Sequence, residues 1–383
     1  MADIDGSLSL HHRVRLGGEG HSSELADLPV RVERDRTLRV KVIDTCGMAC
    51  TFCHNEGTPV VADNLGRDPR DFDAAAQSGR VSIYLASNGA RFLPAAVSPD
   101  EEFVDALRTL RDALHVDELH LIGGEPSLHP RLAEVIRSAT GAGFRVCMTS
   151  NGENGARILA GCAREGLDRV NFSIFGTTAS ELAQVQHARF ADRRRAEKKI
   201  QALRHAVQAA LAAGIRVSAN IVVPNYSHAS RVRRLLTDFA PGLSVRLLNS
   251  LDDGIDSVIA IERILAEAGA TAFEHRVTAG VSGWRTAYRT SAGRELLFKK
   301  IRRVRLPKTC LGCQFNNTKD CEEGFYGVRL YRDRRGGYQV GVCIQRMDLC
   351  MPVSEFVQSP LCQEVVALRD AEYGQFSTCD PFP

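Results

Sequence analysis

The sequence predicts an α/β fold of parallel βαβ units with a smaller cysteine-rich region at the C-terminal end. Three observations carry this. Short apolar, strand-like runs alternate with helix-like stretches from Thr37 to about Ser250. Small or turn-forming residues follow several of those runs. Seven of the twelve cysteines (Cys310, Cys313, Cys321, Cys343, Cys350, Cys362 and Cys379) fall after Leu306. At 383 residues the chain can build two domains and a large core.

Residues up to about Glu33 carry Gly17, Gly18 and Gly20 and little periodicity, so 1–36 is expected to be flexible. Leu38–Val42 reads as the first strand. Thr58–Pro94 is a long insertion holding one strand-like piece, Val81–Leu85. Pro99–Leu114 reads as a helix, with Ser98 as N-cap, Pro99 at the first position and acids in the first turn. Strands follow at Glu118–Ile122, Phe144–Met148, Arg169–Ile174, Ile215–Val223 and Ser244–Leu248. Helices are expected between them at Pro130–Thr140, Gly155–Glu165, Ala196–Ala213 and Ser230–Phe239. Residues 251–305 are expected to connect this unit to the last region, 306–383.

Composition excludes some functions. Hydrophobic residues are 44% and charged residues 25%, ordinary values for a globular protein. A net charge of +3 argues against a nucleic-acid binder. No apolar run is long enough to cross a bilayer, and Met1–Gly6 shows no signal-peptide pattern, so no membrane partner and a cytoplasmic location are expected. Two basic runs, Arg193–Lys199 and Lys299–Arg305, read as solvated helix faces. The alternative is that one of their cations reaches an anionic substrate.

Cys46, Cys50 and Cys53 form a C-x3-C-x2-C run directly after the first strand. Thiolates this close can turn toward one point. They suit an iron–sulfur cluster with one iron left open, or a structural zinc with His54 as fourth ligand. Clustered cysteines in a reducing compartment are more often ligands than disulfides.

Four further motifs lie at strand ends, in order: Gly123-Gly124-Glu125-Pro126, Thr149-Ser150-Asn151-Gly152, Val170-Asn171-Phe172-Ser173-Ile174 and Ala219-Asn220-Ile221-Val222-Val223-Pro224. With the cysteine triplet and Phe52 inside it, this ordered set, over about Arg36 to Ser250, resembles the radical S-adenosylmethionine (SAM) superfamily. The resemblance implies a partial (β/α)6 TIM-like barrel over 37–250, with chemistry at the carboxyl ends of its strands. It implies a catalytic [4Fe–4S] cluster on Cys46, Cys50 and Cys53, its open iron taking SAM. Gly123 and Gly124 would let backbone approach the methionine moiety, Glu125 would meet the SAM ammonium, and Pro126 would stiffen the turn. Ser150, Asn151 and Ser173 are implied contacts to ribose and carboxylate, and Phe52, Asn220 and Val222 to adenine.

The late cysteines hold a second pattern. Cys310 and Cys313 form a C-x2-C pair, Cys321 follows, and a hairpin around Gly336-Gly337 delivers Cys343. Four such thiolates suit zinc or a cluster. The segment, with Cys53-His54-Asn55-Glu56-Gly57, resembles the GTP cyclases of molybdenum-cofactor biosynthesis, which implies a second, auxiliary [4Fe–4S] cluster. Gln314–Asn317 replaces that group's basic stretch, and the chain lacks its Gly-Gly tail. The architecture therefore carries over, and the substrate does not.

The function expected is reductive cleavage of SAM to a deoxyadenosyl radical. That radical would abstract hydrogen from a small polar metabolite (a nucleotide, nucleoside or sugar) in natural-product biosynthesis. A reductase such as flavodoxin or ferredoxin would supply electrons. The alternatives are a peptide-modifying maturase and a zinc-binding interaction protein. Arg329 and Arg346 are candidate contacts to a substrate anion, although Arg329 also reads as a strand residue facing solvent. Cys147 and Cys162 read as buried small hydrophobes. Cys350, Cys362 and Cys379 are candidate hydrogen donors.

Overall fold

The computed structural model describes residues 28–53, 89–317 and 321–378. The first part of the chain gives β1 (Val30–Arg34), β2 (Thr37–Ile43), β3 (Pro94–Ala95), α1 (Glu101–Leu114), β4 (Glu118–Gly123), α2 (Leu132–Gly141), β5 (Arg145–Ser150), α3 (Gly155–Arg164) and β6 (Leu167–Ser173). Then come α4 (Ala179–Gln184), α5 (Arg193–Ala212), β7 (Arg216–Val223), α6 (Ala229–Thr237), β8 (Ser244–Asn249), α7 (Gly254–Glu267), β9 (Ala270–Ala279), β10 (Gly283–Thr290) and β11 (Glu295–Ile301). The last part gives β12 (Val328–Asp333), β13 (Tyr338–Gly341), β14 (Met351–Pro352), α8 (Val353–Phe356) and α9 (Pro360–Thr378). Among the described residues no helix is long and apolar enough to cross a membrane.

Strands β2, β4, β5, β6, β7 and β8 pair in that order, all parallel. This is the partial (β/α)6 barrel. It stays open because β8 pairs with β11 and β2 with β12, not with each other. Alternation along each strand explains the two faces. Leu38, Val40 and Val42 enter the main apolar core, as do Val170 and Phe172 on β6 and Val245 and Leu247 on β8. The intervening residues Arg39, Lys41, Arg169, Asn171 and Arg246 therefore face the barrel lumen.

Several expectations change. Asp100, not Ser98, caps α1: its Oδ1 accepts the Phe103 N–H at 3.0 Å, and the helix starts at Glu101. Helix α5 starts at Arg193 rather than Ala196, because Asp192 accepts the Arg195 N–H at 2.7 Å. The expected flexible segment ends in β1, which pairs in parallel with β9. The expected connector over 251–305 is α7 followed by the meander β9–β10–β11. Consequently Lys299–Arg305 begins on a strand rather than a helix face. Val81–Leu85 lies outside the described residues.

The cysteine-rich region is continuous with the barrel sheet. β12 runs parallel to β2, with Arg329 opposite Arg39, and the β12–β13 hairpin follows as expected. Helix α9 returns to the opposite edge. Leu361, Cys362, Val365 and Leu368 join the main core, and Phe376 packs with Val277 and Ala279 of β9.

That return is fixed by a buried ion pair. Arg369 meets Asp35 at 2.7 Å, with side chains only 4% and 3% exposed. Breaking a buried pair leaves one charge uncompensated, at about 3–5 kcal/mol. Arg369→Met should therefore lower unfolding free energy by about that amount in denaturant titration. A loss under about 1 kcal/mol, the range of exposed pairs, would show that the pair is solvated.

Candidate functional site

Cys46, Cys50 and Cys53 sit on the loop leaving the carboxyl end of β2. Cys50 is buried, Cys46 half-buried and Cys53 exposed. The loop is seated on α4 and α5 by Met48, Cys50, Leu182, Ala183, Ala196 and Ile200. It is also bonded there. The Thr51 N–H donates to the Val185 carbonyl at 2.9 Å, and the His187 N–H to the Ala49 carbonyl at 2.9 Å. Gly47 donates its N–H to Glu153 Oε2 at 2.9 Å, and Glu153 is ion-paired to Lys199. Arg195 donates to the Gly47 carbonyl at 3.1 Å. Thus the first basic run is not merely a solvated face.

The sulfurs accept nitrogen donors. Met48 N and Asn151 Nδ2 lie 3.5 and 3.6 Å from the Cys46 sulfur, and Gln186 Nε2 lies 3.2 Å from that of Cys50. Donors aimed at sulfur suit thiolates that carry the charge of a bound cluster. The donors at Cys46 and Cys50, with Cys53 exposed on the same loop, fit the ligand set of a [4Fe–4S] cluster. Gln186, Glu153 and Lys199 carry no motif signal, and only the fold brings them here.

The glycines of the second motif are required by the neighbouring backbone. Gly124 N donates to the Ile43 carbonyl and Glu125 N to the Thr45 carbonyl, each at 2.8 Å. A Cβ on Gly123, whose φ is +155°, would lie 2.4 Å from the Ile43 oxygen. One on Gly124 would lie 2.2 Å from the Asp44 oxygen. The backbone that enters the cysteine loop thus excludes side chains here.

Glu125 is also turned inward. It is 1% exposed and accepts from Ser127 N at 3.0 Å, Ser150 Oγ at 2.6 Å and Asn151 N at 2.6 Å. Burial pushes its pKa up, against those hydrogen bonds. Both of its oxygens are engaged within the protein, so it ties the β4 turn to the β5 turn. Pro126 opens the short helical turn Pro126–Leu128.

The mouth of the barrel offers apolar surface beside a polar atom. Phe52 and Val222 are each 49% exposed, and the Phe52 ring packs tilted against Phe175 at 5.1 Å. Ser173 and Asn220 are opposite each other in register. The Asn220 Oδ1 is buried, with no hydrogen-bond partner among the described residues. An adenine amino group suits such an acceptor between apolar walls.

Deeper in the lumen the charge is strongly positive. His120 is held well below its usual pKa by burial and by Arg39, Arg169 and Arg246. Arg246 is lowered by burial, Arg285 and Arg169. Lys299 is pushed down to about 8 by burial, with Arg285, Arg39 and Arg246 adding to the effect against Glu323. Glu118 is the facing acid on β4, paired with Arg169 at 2.8 Å. Cys147 lies here rather than in the apolar core, its thiol donating to Glu118 Oε1 at 3.4 Å and pushed up to about 12 by burial. Cys162 is in the core, as expected, and so is Cys362, away from the lumen.

In the second cysteine group, Cys310, Cys313, Cys321 and Cys343 are all half-buried. Arg305 braces them by donating to the Cys321 carbonyl and to Asn316 Oδ1, while Asn316 Nδ2 donates to the Cys310 carbonyl at 2.9 Å. Arg329 does not face solvent. It is 1% exposed, 3.9 Å over the Tyr326 ring. Arg346 is bidentate to Asp348 at 2.7 and 2.8 Å and reaches the Cys313 sulfur at 3.8 Å. Its charge is therefore already compensated. Burial pushes Cys350, beside Cys343, up to about 12. His54 and Cys379 lie outside the described residues.

The chain is similar to several known proteins. The chain is 28% identical over 315 residues to a probable GTP 3',8-cyclase of Aeropyrum pernix, covering 78% of this chain and 72% of that protein. It is 26% identical over 227 residues to a GTP 3',8-cyclase of Corynebacterium glutamicum, covering 57% of this chain and 48% of that one. Among solved structures, Streptococcus suis SuiB bound to S-adenosylmethionine aligns with a TM-score of 0.45 at 12% identity, over 90% of this chain and 68% of that chain. Methylornithine synthase aligns with a TM-score of 0.35 at 13% identity, over 63% of each chain. The family model of the Radical SAM superfamily matches residues 40–238, which span β2 to α6 and hold the cysteine triplet and the four strand-end motifs. With the thiolate loop, the glycine turn and the open barrel in place, the chain belongs to the radical SAM superfamily.

Proposed function

We propose that this radical SAM enzyme acts on a small anionic metabolite, a nucleotide or a phosphate- or carboxylate-bearing sugar or nucleoside, held in the barrel lumen. The supporting observation is the group Arg39, Arg169, Arg246, Arg285 and Lys299: burial, and then the like charge of neighbours in the group, lowers Arg246, Arg285 and Lys299, while the facing acid Glu118 is paired with Arg169. Confined cations at this density are stabilised by an incoming anion. Cys310, Cys313, Cys321 and Cys343 hold an auxiliary [4Fe–4S] cluster in this reading. The Ala- and Arg-rich composition supports a natural-product setting.

When bound, the cluster and SAM supply a deoxyadenosyl radical. The chain's own residues do the rest. Phe52 and Val222 bracket the adenine, and Asn220 Oδ1 accepts from its amino group. Ser150, Asn151 and Ser173 line the ribose and methionine side. The lumen cations would hold the anionic group of the substrate and replace its water. Exposed Cys53, on the loop whose Gly47 carbonyl Arg195 of α5 bonds, suits an acidic electron donor of the flavodoxin or ferredoxin class.

Replacing Cys46, Cys50 and Cys53 together with Ala should abolish deoxyadenosine release under dithionite while the chain stays folded. Undiminished release would defeat the assignment. The same variant should lose about one four-iron cluster per chain and keep a second, by iron analysis. A triple variant without iron would remove the auxiliary cluster.

Pyrophosphate can probe the lumen directly. A charge-assisted contact contributes about 1.5–3 kcal/mol, so Arg246→Gln should weaken pyrophosphate binding by roughly ten- to a hundredfold in calorimetry. Equal affinity would favour a neutral substrate. Lys299 is charged below its folded pKa of about 8 and neutral above it. Pyrophosphate affinity should therefore fall as pH rises through about 8, and Lys299→Met should flatten that fall.

A further inference from the structure

We propose that Gln186 sets the reduction potential of the cluster on Cys46, Cys50 and Cys53, by donating its side-chain amide to the Cys50 sulfur. This goes beyond the substrate reading and does not depend on it. Gln186 lies just after α4, is 9% exposed, and places Nε2 3.2 Å from the Cys50 sulfur. The amide's orientation is fixed from its other end. Oε1 accepts the Ala49 N–H at 2.7 Å, so the NH2 group must be the one that faces sulfur.

The position is held from both sides. Cys50 and Gln186 form an antiparallel bridge, supported by the hydrogen bonds of Thr51 and His187. Helix α4 is fixed by its capping box of Thr178 and Glu181, and Glu181 is in turn paired to Arg231 and Arg234 of α6. Gln186 therefore has one geometry relative to the thiolate.

Reduction adds one electron, delivered by a low-potential donor of the flavodoxin class. No bond in the amide breaks and no proton moves. The added negative charge spreads partly onto the ligand sulfurs. An N–H dipole aimed at one of them stabilises the reduced state more than the oxidised state, and burial strengthens that preference. Gln186 thus raises the potential, making the cluster easier to reduce. It acts through Cys50 and is a positioning residue.

The test is a reductive titration of the reconstituted holoenzyme followed by electron paramagnetic resonance. Only the reduced-cluster signal that changes on adding SAM is read, which separates this site from the second cysteine group. Gln186→Met keeps the length and removes the donor. Gln186→Glu keeps an acceptor for Ala49 and turns a carboxylate oxygen toward sulfur. Both should shift the potential to more negative values, Glu further than Met, with iron content unchanged. Unshifted potentials would overturn the proposal. So would loss of this cluster from both variants, which would make Gln186 a structural residue of the loop. A wild-type protein with no SAM-sensitive signal would overturn it together with the cluster assignment.

Discussion

The site depends on a backbone-to-backbone contact between two neighbouring strand exits. Ile43 and Thr45, at the exit of β2, accept hydrogen bonds from Gly124 and Glu125, which leave β4. The approach is so close that neither Gly123 nor Gly124 has room for a Cβ. Glu125 then carries the constraint sideways, its buried carboxylate gathering Ser127, Ser150 and Asn151. Three successive strand ends are thus locked to one another. The cysteine loop starts from this rigid rim, which is why a loop can present three sulfurs reproducibly.

Much of the barrel was legible in the chain. Strong alternation of Leu38, Val40 and Val42 with Arg39 and Lys41 marks both the strand and its two faces. Gly-Gly-Glu-Pro was legible as a motif, although its cause lies in a neighbouring backbone that no local pattern reveals. The meander β9–β11 was missed because its strands follow no motif and read as connector. Helix α9 was missed because its burial is decided by partners far away, Asp35 and β9. Gln186 and Glu153 could not have been found from the sequence: each is an ordinary polar residue until the fold sets it against the loop.

The lumen shows how a single physical effect can serve stability and function in opposite ways. Crowded cations cost folding free energy, since each loses water and gains like-charged neighbours. The apolar core on the other face of the same strands supplies the compensation. An anionic ligand entering the lumen would relieve that cost and stabilise the folded chain in proportion to its concentration.

The parallel pairing of β12 with β2 bears on modularity. β2 is the strand from which the SAM-cluster loop departs, and β12 opens the hairpin that leads to Cys343. The two cysteine groups thus flank adjacent strands of one sheet: Cys46–Cys53 follow β2, and Cys310–Cys321 and Cys343 lie on either side of the β12–β13 hairpin. Cutting the chain ahead of β12 would strip the hydrogen-bonding edge of β2 and leave a hydrophobic strand ready to pair with another molecule. The C-terminal region is therefore no detachable accessory. It is the edge guard of the barrel, and exchange of this region between related chains is constrained by the register of Arg39 with Arg329.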